Sequence, residues 1–447
     1  MNTGNTAYVL GSAALVMLMT PGLAFFYGGM VRARSVLNMM MMSLVCLGVV
    51  GLIWVLIGFS LAFGNSHGGL IGGFEYAGLR ETDLFVGTAP NGVPLQAFAM
   101  FQLMFAVITA ALLAGAVADR ARFWPWTVFV AAWTVLVYLP LAHWIFAFDG
   151  FTGEHGGWMA NRLGALDFAG GTAVEINSGA SALALALVLG RRRGWPRDST
   201  RPHNLPMVLL GAGLLWFGWF GFNAGSALSA GAVASNAFVT TMTASAAAVL
   251  SWLALEHRLD GRPTSLGAAS AAVAGLVGIT PACGYVDTLG ALLIGLAAGV
   301  ICQLAIRLKY RLRYDDSLDV VAIHGVGGLV GMLLLGFVAT DAVNPAGANG
   351  LLYGGGPAQL VKQTVAALAA AIFAFTITLL LTWLINTTLG FRATPEAETA
   401  GIDETEHAET AYEFSTLTTS THTTAAQPTR QTATHPSAQP EPEQTRP

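Results

Sequence analysis

The chain is a succession of apolar stretches of membrane-crossing length, separated by short charged or polar loops. Eleven can be marked, at about residues 7–30, 36–63, 95–118, 124–147, 169–190, 206–228, 234–256, 265–281, 284–307, 319–339 and 358–390. About 20 apolar residues suffice for one helical crossing, and a helix satisfies its own backbone in lipid. Composition excludes the alternatives. Hydrophobic residues are 54% of the 447 and charged residues 10%, against roughly 25% charged in soluble domains. A soluble core cannot hide that much apolar surface, and disorder needs the opposite balance. The expected fold is an all-α polytopic membrane protein. Met1–Ala7 carries no basic side chain, so the first stretch is read as a retained helix rather than a cleaved signal.

Lysine and arginine placement predicts the orientation. One set of alternate loops holds 16 of them: Arg32, Arg34, Arg120, Arg122, the cluster Arg191–Arg201, Arg258, Arg262, the group Arg307–Arg313, and Arg392. The opposite loops hold three: Arg80, Arg162 and Lys362. The basic side faces the cytoplasm, which predicts the N-terminus out and the C-terminus in. Two sets of five spans would face opposite ways, which predicts an inverted 5+5 repeat with the path at its interface and one extra helix. Gly295/Gly299 and Gly327/Gly331 read as ordinary helix-packing pairs. The domain expectation is 1–392 in the membrane and 393–447 as a cytoplasmic tail. That tail has nine acids and two bases and low complexity, and reads as a solvated extension.

Ionisable side chains inside spans are costly and point to function. Glu175 and His324 sit mid-span in the fifth helix of each half, where an inverted repeat brings them together. Such a pair can share one proton and stay neutral overall. His143, also in a span, reads as a structural histidine held by a carbonyl. Asp167, just before the fifth span, reads as a helix cap whose charge also draws cations. Phe101 and Phe105 share a face of the third span. Trp144 and Phe146 end the fourth, and Trp219, Phe222 and Ser226 line the outer half of the sixth. Ring faces plus one hydroxyl suit a small, hydrogen-bonding monovalent cation. Cys46, Cys283 and Cys302 show no metal-ligand spacing. No metal, other cofactor or nucleic-acid partner is expected, and one Glu with one His does not make a zinc enzyme.

The segment Asp167-Phe168-Ala169-Gly170-Gly171-Thr172-Ala173-Val174, continued by Ser178-Gly179, Ala182-Leu183, Leu187-Val188, Gly190 and Arg192, resembles the signature of the ammonium transporter (Amt/Mep/Rh) family. Pro21–Gly29, Arg120–Phe123, Pro202–Met207, Gly218–Ser226, Gly278–Tyr285 and Asp319–Gly328 resemble it too. The resemblance implies a homotrimer of eleven-helix protomers in the cell membrane. Each protomer would have its own narrow pore for ammonium or ammonia, with methylammonium as an analogue. It implies recruitment at Phe101, Phe105, Ser226 and a ring from Trp144 or Phe146, with Trp219 and Asp167 nearby. Phe105 and Phe222 would form the gate. Glu175 and His324 would occupy the family's two pore-histidine positions, the first being Glu here, and Thr280 would support the outer loops. The family's Trp aligns with Phe146. A PII-type regulatory protein at the cytoplasmic face is implied as a partner, and the resemblance implies that Glu404–Phe414 docks as a tail helix on the inner loops. The rival class is an ammonium sensor of the same family, although a tail of about 55 residues is too short for a fused output domain.

Overall fold

The computed structural model describes residues 1–80, 84–87, 92–197 and 201–412. Among the described residues, ten helices are long and apolar enough to cross a membrane. They are α1 (Thr3–Met30), α2 (Val36–Phe63), α3 (Leu95–Val117), α4 (Phe123–Phe146), α5 (Gly171–Leu189), α6 (Leu205–Gly225), α7 (Ala232–Asp260), α9 (Thr288–Leu312), α10 (Val321–Val338) and α11 (Ala358–Leu389). The short Gly/Ala-rich stretch forms α8 (Ser265–Ile279), at 15 residues less than a full crossing by itself. Two short helices follow α11, α12 (Pro395–Ala400) and α13 (Ile402–His407). The compact unit runs from Met1 to Ala411.

The first crossing begins on one face and the last crossing ends on the other. The Asn2 amide donates to Gly92 on the arginine-poor face, whereas Arg122 on the arginine-rich face donates to Leu389 and Gly390 at the end of α11.

Small residues let the helices touch along their backbones. On α6, Gly211, Gly218 and Gly221 lie so close to Phe26, Met19 and Leu15 of α1 that an added Cβ would overlap them. Gly295 and Gly299 of α9 meet Ala244 and Ala248 of α7, and Gly331 of α10 meets the Gly278 carbonyl of α8. These are the packing roles expected of such pairs.

The proximal tail differs from the solvated extension read from its composition. Glu398, Ile402 and Asp403 are buried. Asp403 accepts hydrogen bonds from the Leu37 and Asn38 amides at 3.0 and 2.8 Å, at the start of α2. Glu406 accepts from the Phe123 amide, the first residue of α4, at 3.0 Å, and pairs with Arg122. Glu398 pairs with Arg392. Orphan N–H groups at helix starts need an acceptor, and here the tail acids serve. Ser35, at the α2 cap position, makes no side-chain cap bond. Phe414, the end of the expected docking segment 404–414, and the distal tail lie outside the described residues.

Candidate functional site

On the arginine-poor face a vestibule of about 460 Å³ opens into the helices, lined by Gln102, Phe105, Phe146, Asp167, Ser226 and Tyr285, among others. Phe105 and Phe222 close its floor, stacked with centroids 4.0 Å apart and planes at 17°. The Phe146 ring stands edge-on to Phe105 at 6.4 Å. Phe101 lies behind Phe105 at 4.9 Å and is fully buried, so it backs the stacked pair. Ser226 follows the last turn of α6, and its hydroxyl donates to the Phe222 carbonyl at 2.8 Å. The hydroxyl lone pairs are left for a cation's N–H.

Beneath the rings lies a narrow cavity of about 10 Å³, near the minimum that holds one water-sized particle. Its wall is apolar, with Ile108, Leu112, Val174, Leu215 and Val273, and it reaches Trp219, Glu175 and His324. His324 Nδ1 lies 2.7 Å from Glu175 Oε2. Both side chains are buried, and Glu175 Oε1 has no hydrogen-bond partner among the described residues. The pair meets because α5 and α10 cross at glycines. A Cβ on Gly179 would overlap the Gly325 backbone, and one on Gly328 would sit 2.8 Å from Glu175 Cβ. Each pore residue also lies in a π-helical turn, Gly171–Ile176 or Val321–Val326, a local widening frequent at functional sites.

Asp167 caps α5. Its carboxylate accepts from the amides of Gly170, Gly171 and Thr172 and from the Thr172 hydroxyl. Burial raises its pKa, against the pull of those donors. Its oxygens are thus engaged with the start of α5 rather than turned to the vestibule. Gly170, at φ 121°, makes the turn that aims these amides inward. The same device recurs 149 positions further on, the separation of Glu175 from His324. Asp316 Oδ2 accepts from the Val321 amide at 2.7 Å, as Asp167 Oδ2 accepts from Thr172 at 2.7 Å. Asp319, the counterpart of Gly170, also has a positive φ, 66°. Burial pushes Asp316 up to about 6, against the attraction of Lys309.

Besides Phe101, two more expected recruitment residues lie outside the vestibule lining. Trp144 turns away from the vestibule, packing on Trp158 and Phe373 and donating to the Leu70 carbonyl. Residues 144 and 146 are two apart, about 200° round a helix, so one faces the vestibule and the other does not. Trp219 lies below the gate, where its indole N–H donates to Thr280 Oγ1 at 2.9 Å. Thr280 thus braces the pore-wall tryptophan between α6 and α8, where support of the outer loops was expected. His143 has the structural place expected, with ring nitrogens 2.9 Å from the Ala62 carbonyl and 2.8 Å from the Ser66 hydroxyl. Sequence reasoning missed Gln102. Its signal was an amide one turn from Phe105 in a span otherwise nearly free of polar side chains.

Residues 7–412 match the family model described as Ammonium Transporter Family. The chain belongs to that family. It is 55% identical over 431 residues to an ammonium transporter of Mycobacterium tuberculosis (strain H37Rv), covering 92% of this chain and 90% of the relative. It is 45% identical over 415 residues to ammonium transporter Amt1 of Archaeoglobus fulgidus, covering 92% and 100%. Among solved structures, Candida albicans Mep2 superposes with TM-score 0.80 at 33% identity, covering 89% of this chain and 87% of that one. A sensor Amt protein superposes at 0.82 with 30% identity, covering 90% and 98%. The paired turns at Asp167 and Asp316 fit the two-halved plan expected from the sequence. This family member has Glu175 and His324 in contact at the centre of its membrane domain.

Proposed function

We propose that this chain transports ammonium across the cell membrane, with the arginine-poor face outside, and that the cation is split at the gate. Ammonium leaves water in the vestibule, held by the Phe105 and Phe146 rings, the Ser226 hydroxyl and the nearby charge of Asp167. A bare ion in the apolar cavity below would be expensive. One N–H bond therefore breaks heterolytically. Its proton passes to the Glu175–His324 pair, and neutral ammonia passes the Phe105–Phe222 rings. Proton and ammonia recombine on the far side, so one charge moves per ammonia and transport is electrogenic. The observation that carries this reading is the 2.7 Å Glu175–His324 contact facing the same apolar cavity as the stacked gate.

The working unit is a homotrimer with one pore per protomer. The docked tail, whose acids sit on the arginine-rich loops, is the element through which a PII-type protein would regulate it. The test is current and labelled methylammonium uptake measured together in proteoliposomes. Glu175→Leu is expected to abolish ammonium-evoked current. Unchanged current in that variant removes Glu175 from the mechanism. Saturable binding without flux in the parent protein favours the sensor.

A further inference from the structure

We propose that Gln102 is a ligand of the cation in the vestibule, its amide oxygen accepting an N–H, and that it sets the preference for ammonium over alkylated ammonium. This deepens the transport reading and rests on it. Gln102 lines the vestibule from α3. It follows Phe101 and precedes Phe105 by one turn, which places it just above the gate on the side where the cation enters. It is 7% exposed, and its Oε1 is buried without a hydrogen-bond partner among the described residues. Burying an amide acceptor unsatisfied costs stability that an apolar residue of similar length would not. A transient N–H donor is the group that removes the cost.

The other polar groups of the vestibule leave room for this role. Asp167 has its oxygens engaged with the start of α5. Asn344 accepts from the Ala346 amide. Ser226 gives its proton to Phe222, and Ser229 at the rim gives its own to Ala227, each keeping lone pairs. Ammonium has four N–H donors in a tetrahedron, and the rings of Phe105 and Phe146 offer only π faces. A second acceptor beside Ser226 completes a set that counts N–H bonds. The amide NH2 only donates, so the cation is accepted in the sense of the amide that turns its oxygen toward the vestibule. Methylammonium replaces one N–H by a methyl group. A site that hydrogen-bonds its substrate discriminates against an analogue lacking the donor.

The test uses the full-length protein in proteoliposomes, with ammonium-evoked current and labelled methylammonium uptake measured side by side. Gln102→Met keeps length and removes the amide. Its ammonium KM is expected to rise about tenfold, as for loss of one hydrogen bond to a charged group. Its methylammonium KM is expected to rise less than about threefold, so the preference narrows. Gln102→Glu keeps an acceptor and adds charge, and is expected to tighten ammonium more than methylammonium. A purely structural role would leave the ratio of the two KM values untouched. Parental KM values for both substrates in Gln102→Met overturn the assignment. If that variant fails to fold, parental values in Gln102→Glu overturn it equally. A parent protein that moves neither substrate sinks the transport reading, and this inference with it.

Discussion

Replacing Gly328 by alanine puts one methyl group against the back of Glu175. The new Cβ would lie 2.8 Å from Glu175 Cβ and 3.1 Å from the Ile176 amide nitrogen. Carbon atoms settle at about 3.5–4.0 Å, so α5 and α10 must part locally by about 1 Å. Gly328 is one turn beyond His324 on α10, so that parting carries Glu175 away from its partner. The 2.7 Å contact stretches past about 3.5 Å, outside hydrogen-bond range. Loss of a bond to a charged group costs about 1.5–3 kcal/mol, and overpacking adds about 1–3. The higher helix propensity of alanine returns about 1. The net is a destabilisation of about 1.5–5 kcal/mol, and about 1.4 kcal/mol at the proton-transfer step already means a tenfold loss of current. The assay is ammonium-evoked current in proteoliposomes, with thermal unfolding in detergent as the check on folding. Gly213→Ala is the control, because a Cβ there meets nothing within 4 Å. A folded Gly328→Ala protein with parental current would refute the link between helix crossing and proton transfer.

Phe146→Trp is expected to lower the ammonium KM about threefold, since tryptophan offers the stronger π face; Trp144→Phe should leave KM unchanged, and the reverse pattern would return the ring to Trp144. Asp403→Ala bares the Leu37 and Asn38 amides and should cost about 1 kcal/mol. Limited proteolysis of the tail should then accelerate, and a tail cleaved at the parental rate argues against the docked arrangement. Asp316 is raised to about 6 by burial, so between its unfolded value near 4 and 6 the folded state holds the extra proton and stability falls as pH rises. Asp316→Asn removes that loss, so its stability relative to the parent should improve by about 2 kcal/mol from pH 4 to pH 6. A difference that stays flat across that window contradicts a buried, ionising Asp316.

Much of this architecture is legible because lipid imposes a simple rule, that each crossing is apolar and about 20 residues long. The rarity of ionisable residues in the spans likewise exposes Glu175 and His324. Depth along a helix is harder to read. Trp219, Phe222 and Ser226 share one face of α6 by spacing. At 1.5 Å per residue, however, they are spread over about 10 Å, from pore wall to gate to mouth. Side is equally hard to read near a helix end, where an uncertain boundary leaves Trp144 and Phe146 indistinguishable. The tail misleads for another reason. Composition treats Asp403 and Glu406 as hydrated charge, and their partners are bare amides at the starts of α2 and α4, far away in the chain. Gln102 is neutral, so a search for charge passes over it.

The Asp-capped turn used twice has a consequence for direction. A pore built from two copies of one device, the second inverted, would look alike to a proton arriving from either side if both copies ended in the same residue. Here one copy ends in a carboxyl and the other in an imidazole. The backbone is close to symmetric and the chemistry is not. The resting proton therefore has a preferred home within the pair. Influx and efflux then begin from different starting states, so the pore can rectify without any part of the fold having to move.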